Sequence, residues 1–104
     1  MENYKLIIHD AAREDMDGIY RYIAYELMEQ GIALKMIDTL EAAISSLVEM
    51  PHRCPLVLDE HLRQKNYRKL IIKNYIAFFS IDESTRTVNV ERVLYARTDW
   101  ASWL

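Results

Sequence analysis

Residues 67–96 read YRKLIIKNYIAFFSIDESTRTVNVERVLYA, and the way this stretch divides decides the fold. Short runs rich in isoleucine, valine, phenylalanine and tyrosine form strands, because branched and aromatic side chains pack well on a pleated surface. "YRKLIIKN" leads directly into "YIAFFSID" with Asn74 at the junction, and "DESTR" then turns the chain into "TVNVERVLYA". Connections this short join antiparallel neighbours, since parallel pairing needs a longer crossover. The stretch is therefore a three-stranded antiparallel meander. Alternation along its first strand puts Leu70 and Ile72 on one side and Tyr67, Lys69, Ile71 and Lys73 on the other. The second side mixes aromatic, apolar and cationic groups, which makes it a possible binding surface.

Working back from the meander, residues 51–66 carry proline and charge punctuation and read as a surface connection with one short helical turn around Asp59–Leu62. Before it, Ala33, Met36, Ile37, Leu40, Ile44, Leu47 and Val48 form one apolar stripe at helical spacing, running up to Pro51. An earlier helix is expected from Ala12, Met16, Ile19, Ile23 and Leu27, with Asp10 as its N-cap, its end near Glu29 and Gly31 as the break. Residues 4–9, "YKLIIH", read as a first strand. A strand, a helical hairpin and a run of strands predict an α+β domain whose hairpin packs on one face of an antiparallel sheet. The other face is expected to stay partly open.

The 104 residues form one expected domain, 1–104, because only two glycines and two prolines occur and no linker divides them. With 51% hydrophobic and 28% charged residues the chain belongs to the globular class. Its apolar runs are too short to span a membrane, and "MENYKLIIHD" resembles no secretory leader, so a cytoplasmic location is expected. Cys54 is alone, which excludes an intramolecular disulfide. Net charge is -3, unevenly divided. Residues 1–50 hold four Lys/Arg against ten Asp/Glu, whereas residues 51–104 hold nine against six. A local basic surface can form despite the acidic total, although such a surface is often only a solvated face.

Few motifs carry chemistry. His52, Cys54 and His61 with Asp59 and Glu60 match no common zinc spacing, so no metal is expected. Phosphate-binding glycine loops and the hydrolase elbow are missing as motifs, and His9 has no evident Ser or Cys partner. The pairs Asp59–Glu60 and Asp82–Glu83 fall in loops or turns, where solvated acids are the ordinary explanation. More informative are Arg68, Lys69, Lys73, Arg92 and Arg97, interleaved with Tyr67, Tyr75, Tyr95, Trp100 and Trp103. Cations bind phosphate and rings stack on bases, but the same rings equally build cores and protein interfaces.

In this order, "AAREDMDGIYRYIAYE", "ALKMIDTLEAAISSLVEMP", "YRKLIIKNYIAFFSID" and "ERVLYARTDW" resemble the RelE/ParE superfamily of toxins from type II toxin–antitoxin modules. The resemblance covers nearly the whole chain. It implies a growth-inhibiting protein that a cognate antitoxin wraps and neutralises in a hetero-oligomer, with no cofactor and no membrane. RelE-like members are metal-independent endoribonucleases that cut messenger RNA on the ribosome, and by resemblance their basic set would fall on Arg68, Lys69 and Arg97. In them an arginine typically follows the strand-opening tyrosine, which matches Tyr75, whereas this chain has Ile76. An aliphatic side chain cannot stabilise phosphate charge. That departure, the acidic total and the "RVLYARTDW" ending favour the ParE-like class, which inhibits DNA gyrase by protein–protein binding. The expected target-binding set is Lys69, Lys73, Arg92, Tyr95, Arg97, Trp100 and Trp103. Both tryptophans lie among the last five residues. A docked tail is expected to anchor one of them beside the sheet and leave the other to the target.

Overall fold

A computed structural model describes residues 3–59 and 65–104. The helical turn expected around Asp59–Leu62 falls largely on residues 60–64, outside those described. Strand β1 (Lys5–Ile8) leads into helix α1 (Asp10–Arg21), which continues as one wider, π-type turn over Tyr22–Glu26. Helix α2 (Gln30–Ser45) returns antiparallel and tightens into a 3-10 turn over Ser46–Val48. Strands β2 (Arg68–Ile72), β3 (Tyr75–Asp82) and β4 (Thr87–Tyr95) form the meander.

The four-stranded sheet has the order β1-β4-β3-β2. β2, β3 and β4 pair antiparallel as the short connections require, but β1 joins β4 in parallel, so the sheet is mixed. The helical hairpin and two further strands separate β1 from β4, and that long excursion is what makes parallel pairing possible. Two details of the helices differ from expectation. His9, not Asp10, occupies the N-cap position, with no side-chain capping bond, and Asp10 is the first helical residue. Gly31 does not make the break either, since it lies in the first turn of α2 without a positive φ. The chain turns at Met28 (φ 55°), where the Glu29 N–H reaches back to the Ile23 carbonyl (3.0 Å).

Met28 is 83% exposed and makes no use of its side chain in the core. A left-handed conformation costs a side-chain-bearing residue about 1–2 kcal/mol, partly offset in glycine by its greater freedom when unfolded. Met28→Gly is therefore expected to stabilise the fold by about 0.5 kcal/mol, read as a small rise in the urea midpoint at unchanged slope.

Ala12, Met16, Leu40, Ile44 and Leu47 of the hairpin pack on Ala77, Phe79, Val88, Val90 and Val93 of the sheet. The sheet's other face has its own cluster, Val57, Ile76, Phe78 and Leu94, against which Tyr67, Trp100 and Leu104 pack. This face is thus covered more than expected, by the segment around Val57 and by the tail.

A register shift between Phe78 and Phe79 places Arg92 opposite Phe78 and Val90 opposite Phe79, leaving Glu91 as the extra residue of a bulge. The shift has a consequence for the face that Arg92 occupies. Simple alternation from Val88 and Val90 would turn Arg92 toward the hairpin, whereas the bulge moves it to the tail side and Val93 into the core.

Candidate functional site

The tail is built by short-range hydrogen bonds after β4. The Thr98 N–H donates to the Tyr95 carbonyl (2.9 Å), and the Ser102 hydroxyl donates to the Asp99 carbonyl (2.8 Å). These bonds fold Trp100–Ser102 into a single 3-10 turn. It lays the Trp100 ring against Phe78, with centroids 5.3 Å apart. Burial of these two rings docks the tail on the outer sheet face. Trp103 stays 57% exposed.

What orients Trp103 is a chain of polar contacts that begins on α1. Asp15 accepts from Arg92 Nε and Nη2, each at 2.7 Å, and from the Val93 N–H at 2.9 Å. The Val93 bond satisfies a donor of β4 beyond the point where β1 stops pairing, at Ile8 opposite Val90. Arg92 Nη1 donates to the Trp103 carbonyl (3.1 Å), and its guanidinium lies 5.4 Å from the centre of the Trp103 ring. The hydrogen bonds it donates to Asp15 hold the Arg92 guanidinium above its ordinary pKa, so it stays a cation despite partial burial.

Of the expected target-binding residues, the structure assembles some and separates others. Lys69 pairs with Phe78, which in turn pairs with Arg92, so Lys69 and Arg92 share the outer face on either side of Phe78, the ring against which Trp100 lies. Ile71, 65% exposed, extends that face toward the β2–β3 turn, where Lys73 (φ 56°) and Asn74 are exposed. Arg97 is exposed just after β4. Tyr95, opposite Tyr75, has the same orientation as Val93 and therefore looks toward the hairpin rather than toward Trp103.

Arg68 donates to the carbonyls of Cys54 (2.6 Å) and His52 (3.4 Å), tying the preceding loop to β2. The three cations of the endoribonuclease reading are accordingly not gathered. Arg68 is turned inward onto this loop, Lys69 outward, and Arg97 lies beyond the Tyr75–Tyr95 pair, about 10 Å further along the sheet.

Sequence reasoning missed Asp15, and it also missed a groove. Between the hairpin and the uncovered end of β3 and β4 runs a cavity of about 740 Å³, whose walls include Tyr22, Leu27, Ile32, Tyr75 and Tyr95, with Glu14 and Asp15 at one end. Burial first, then neighbouring Tyr95 and Tyr22, push the Tyr75 hydroxyl pKa up. The available signal was that Tyr22 and Ile32 are large apolar residues outside the helical stripes, and Leu27, although counted in the stripe, emerges past the last helical turn.

The remaining candidates carry structure. Cys54 is buried, and burial pushes its thiol pKa up against the lowering effect of Arg53 and Arg68. His52 contacts Glu83 at 2.7 Å, and His9 Nε2 lies 3.0 Å from Asn89 Oδ1 across β1 and β4. Glu60 and His61 lie outside the described residues, and among those described no three His, Cys, Asp or Glu residues are grouped to hold a metal. No described helix is long and apolar enough to cross a membrane.

A family model for the ParE toxin of the type II toxin-antitoxin system, parDE, matches residues 6–100. Among solved structures, the chain is similar to the chromosomal ParDE toxin–antitoxin system from P. aeruginosa, with 17% identity over 93% of this chain and 100% of that chain, at a TM-score of 0.76. It is also similar to the toxin-antitoxin complex RelBE2 from Mycobacterium tuberculosis, with 19% identity over 89% of this chain and 98% of that chain, at a TM-score of 0.63. At such identities the likeness is one of fold. No curated protein matches the sequence.

Proposed function

The chain belongs to the family of ParE toxins of type II toxin–antitoxin systems, and from that membership we propose that it arrests growth by binding DNA gyrase and is neutralised by a cognate antitoxin. The carrying observation is the docked tail, which holds Trp103 exposed on the same sheet face as Lys69. An exposed aromatic ring with an arginine against it suits a protein interface, where aromatic residues and arginine dominate the binding energy. In this reading Lys69, Lys73, Arg97 and Trp103 touch the target. Trp100 and Arg92 hold the tail in place, and Tyr95 belongs to the groove.

The site suits binding better than RNA cleavage. Ile76 is buried in the outer cluster, Arg68 is occupied with loop carbonyls, and Lys69 and Arg97 stand at different levels of the sheet. Transition-state stabilisation requires donors converging on one developing charge. The antitoxin proposal draws on the exposed apolar side chains around the groove, Tyr22, Leu27 and Ile32, which an amphipathic segment of a partner would cover.

The test is a supercoiling assay with purified gyrase beside a ribosomal mRNA-cleavage assay. Inhibition of supercoiling without mRNA cleavage is expected, and cleavage without any effect on gyrase would overturn the proposal. Replacing Lys69 and Arg97 together with alanine is expected to weaken inhibition about tenfold or more, because rim charges steer association and a few contacts dominate affinity. The thermal midpoint should change little, as Arg97 is exposed and Lys69 is only partly buried.

A further inference from the structure

We propose that Asp15 is a positioning residue for the tail: through Arg92 it holds Trp103 in the orientation that the target meets. The proposal rests on the reading of the tail as target-binding. Burying the Asp15–Arg92 ion pair has a cost. Asp15 and Arg92 are both largely out of solvent, and removing a carboxylate and a guanidinium from water is unfavourable unless both are well bonded. Here the carboxylate is fully engaged, by the Arg92 fork and the Val93 N–H, and the guanidinium spends its remaining reach on the Trp103 carbonyl and ring.

A pair needed only to close the edge of β4 would stop at Val93. This one continues into the tail. Among the described residues no apolar cluster anchors Trp103 as Phe78 anchors Trp100, for Trp103 is absent from the cluster that Trp100 joins and stays mostly in solvent. Its orientation comes instead from Arg92, and Arg92 is oriented by Asp15. The bulge at Glu91 completes the device, since only with that extra residue does Arg92 face the tail while its neighbour Val93 packs in the core. An exposed ring that is already oriented avoids the entropy of ordering it on binding, worth about tenfold in affinity for one immobilised side chain.

The experiment uses the full chain with Trp100→Phe, so that Trp103 is the reporter, and adds Asp15→Asn. Asparagine keeps an acceptor for the Val93 N–H but loses the charge and one arm of the fork. The expected result is a folded protein whose Trp103 emission is quenched by acrylamide about twice as efficiently and is less anisotropic, with gyrase inhibition weakened about tenfold. In a Trp103→Ala background the same substitution should change inhibition no further, because its effect passes through that ring. Arg92→Lys, which keeps the charge but not the fork, reads the same contact from its other side should Asp15→Asn fold poorly.

Unchanged quenching and anisotropy in both variants would overturn the proposal, as would an equal loss of inhibition with and without Trp103. If Trp103→Ala alone inhibits normally, the reading of the tail as target-binding fails instead, a result distinct from any failure of Asp15.

Discussion

Ending the chain after Thr98 is expected to abolish the proposed growth arrest and to lower the unfolding free energy by about 3 kcal/mol, the largest functional effect of any single change. The deletion removes the Trp100 ring from Phe78 and Leu104 from the outer cluster, so that Val57 and Tyr67 alone are left to cover Ile76, Phe78 and Leu94. Burying one large apolar side chain contributes about 1.5–3 kcal/mol, and both residues are only partly buried, which sets the figure near the lower end of their sum. Arg92 also loses its acceptor on Trp103. Against a total stability of about 5–15 kcal/mol such a loss is large but leaves a folded population. Urea unfolding followed by far-ultraviolet circular dichroism measures it without relying on the deleted tryptophans. Trp103→Ala supplies the contrast: because that ring is mostly exposed, it should weaken inhibition while shifting stability by less than about 1 kcal/mol. A shortened chain as stable and as toxic as the intact one would show that the tail is dispensable.

Alanine at Phe78 or at Phe79 costs about 3–5 kcal/mol in either case, since both rings are fully buried and the cavities left behind collapse only in part. Their functional effects should nonetheless differ. Phe79 faces the hairpin, so its loss weakens the packing of α1 and α2 and leaves the tail on its own cluster. Phe78 faces outward and carries Trp100, so its loss also undocks the tail. Under conditions where both variants remain folded, Phe78→Ala should red-shift tryptophan emission and weaken gyrase inhibition, whereas Phe79→Ala should do neither. Matching emission from the two variants would mean that the tail is held by something other than the Phe78 contact.

Several features were legible because they depend on neighbours close in sequence. The apolar stripe through Ala33, Leu40, Ile44 and Leu47 requires only the helical period, and all four residues are buried. The turn at Asn74 is set by a short connection between two strands, and β2 and β3 pair with Ile72 opposite Tyr75 as it demands. The bulge, too, left a trace: in "VNVERVLY" the valines at positions 88, 90 and 93 break strict alternation. Helix ends were less legible. Met28 turns the chain and Gly31 does not, because tertiary packing of the hairpin selects where the turn falls and an exposed methionine tolerates the strain.

By itself the sequence determined the α+β class, the hairpin, the antiparallel meander and the resemblance to a toxin family, all of which follow from hydrophobic period, connection length and the order of elements. Tertiary structure alone decided the parallel pairing of β1 with β4, the division of the cation–aromatic set between two faces, and the partners of each charge. The reason is distance along the chain. Asp15 and Arg92 are 77 residues apart, and no local pattern states that their side chains meet. Which arginine is free for a target and which is committed to the fold depends on how the strands are aligned and how the helix lies beside them, and both are settled only when the core closes.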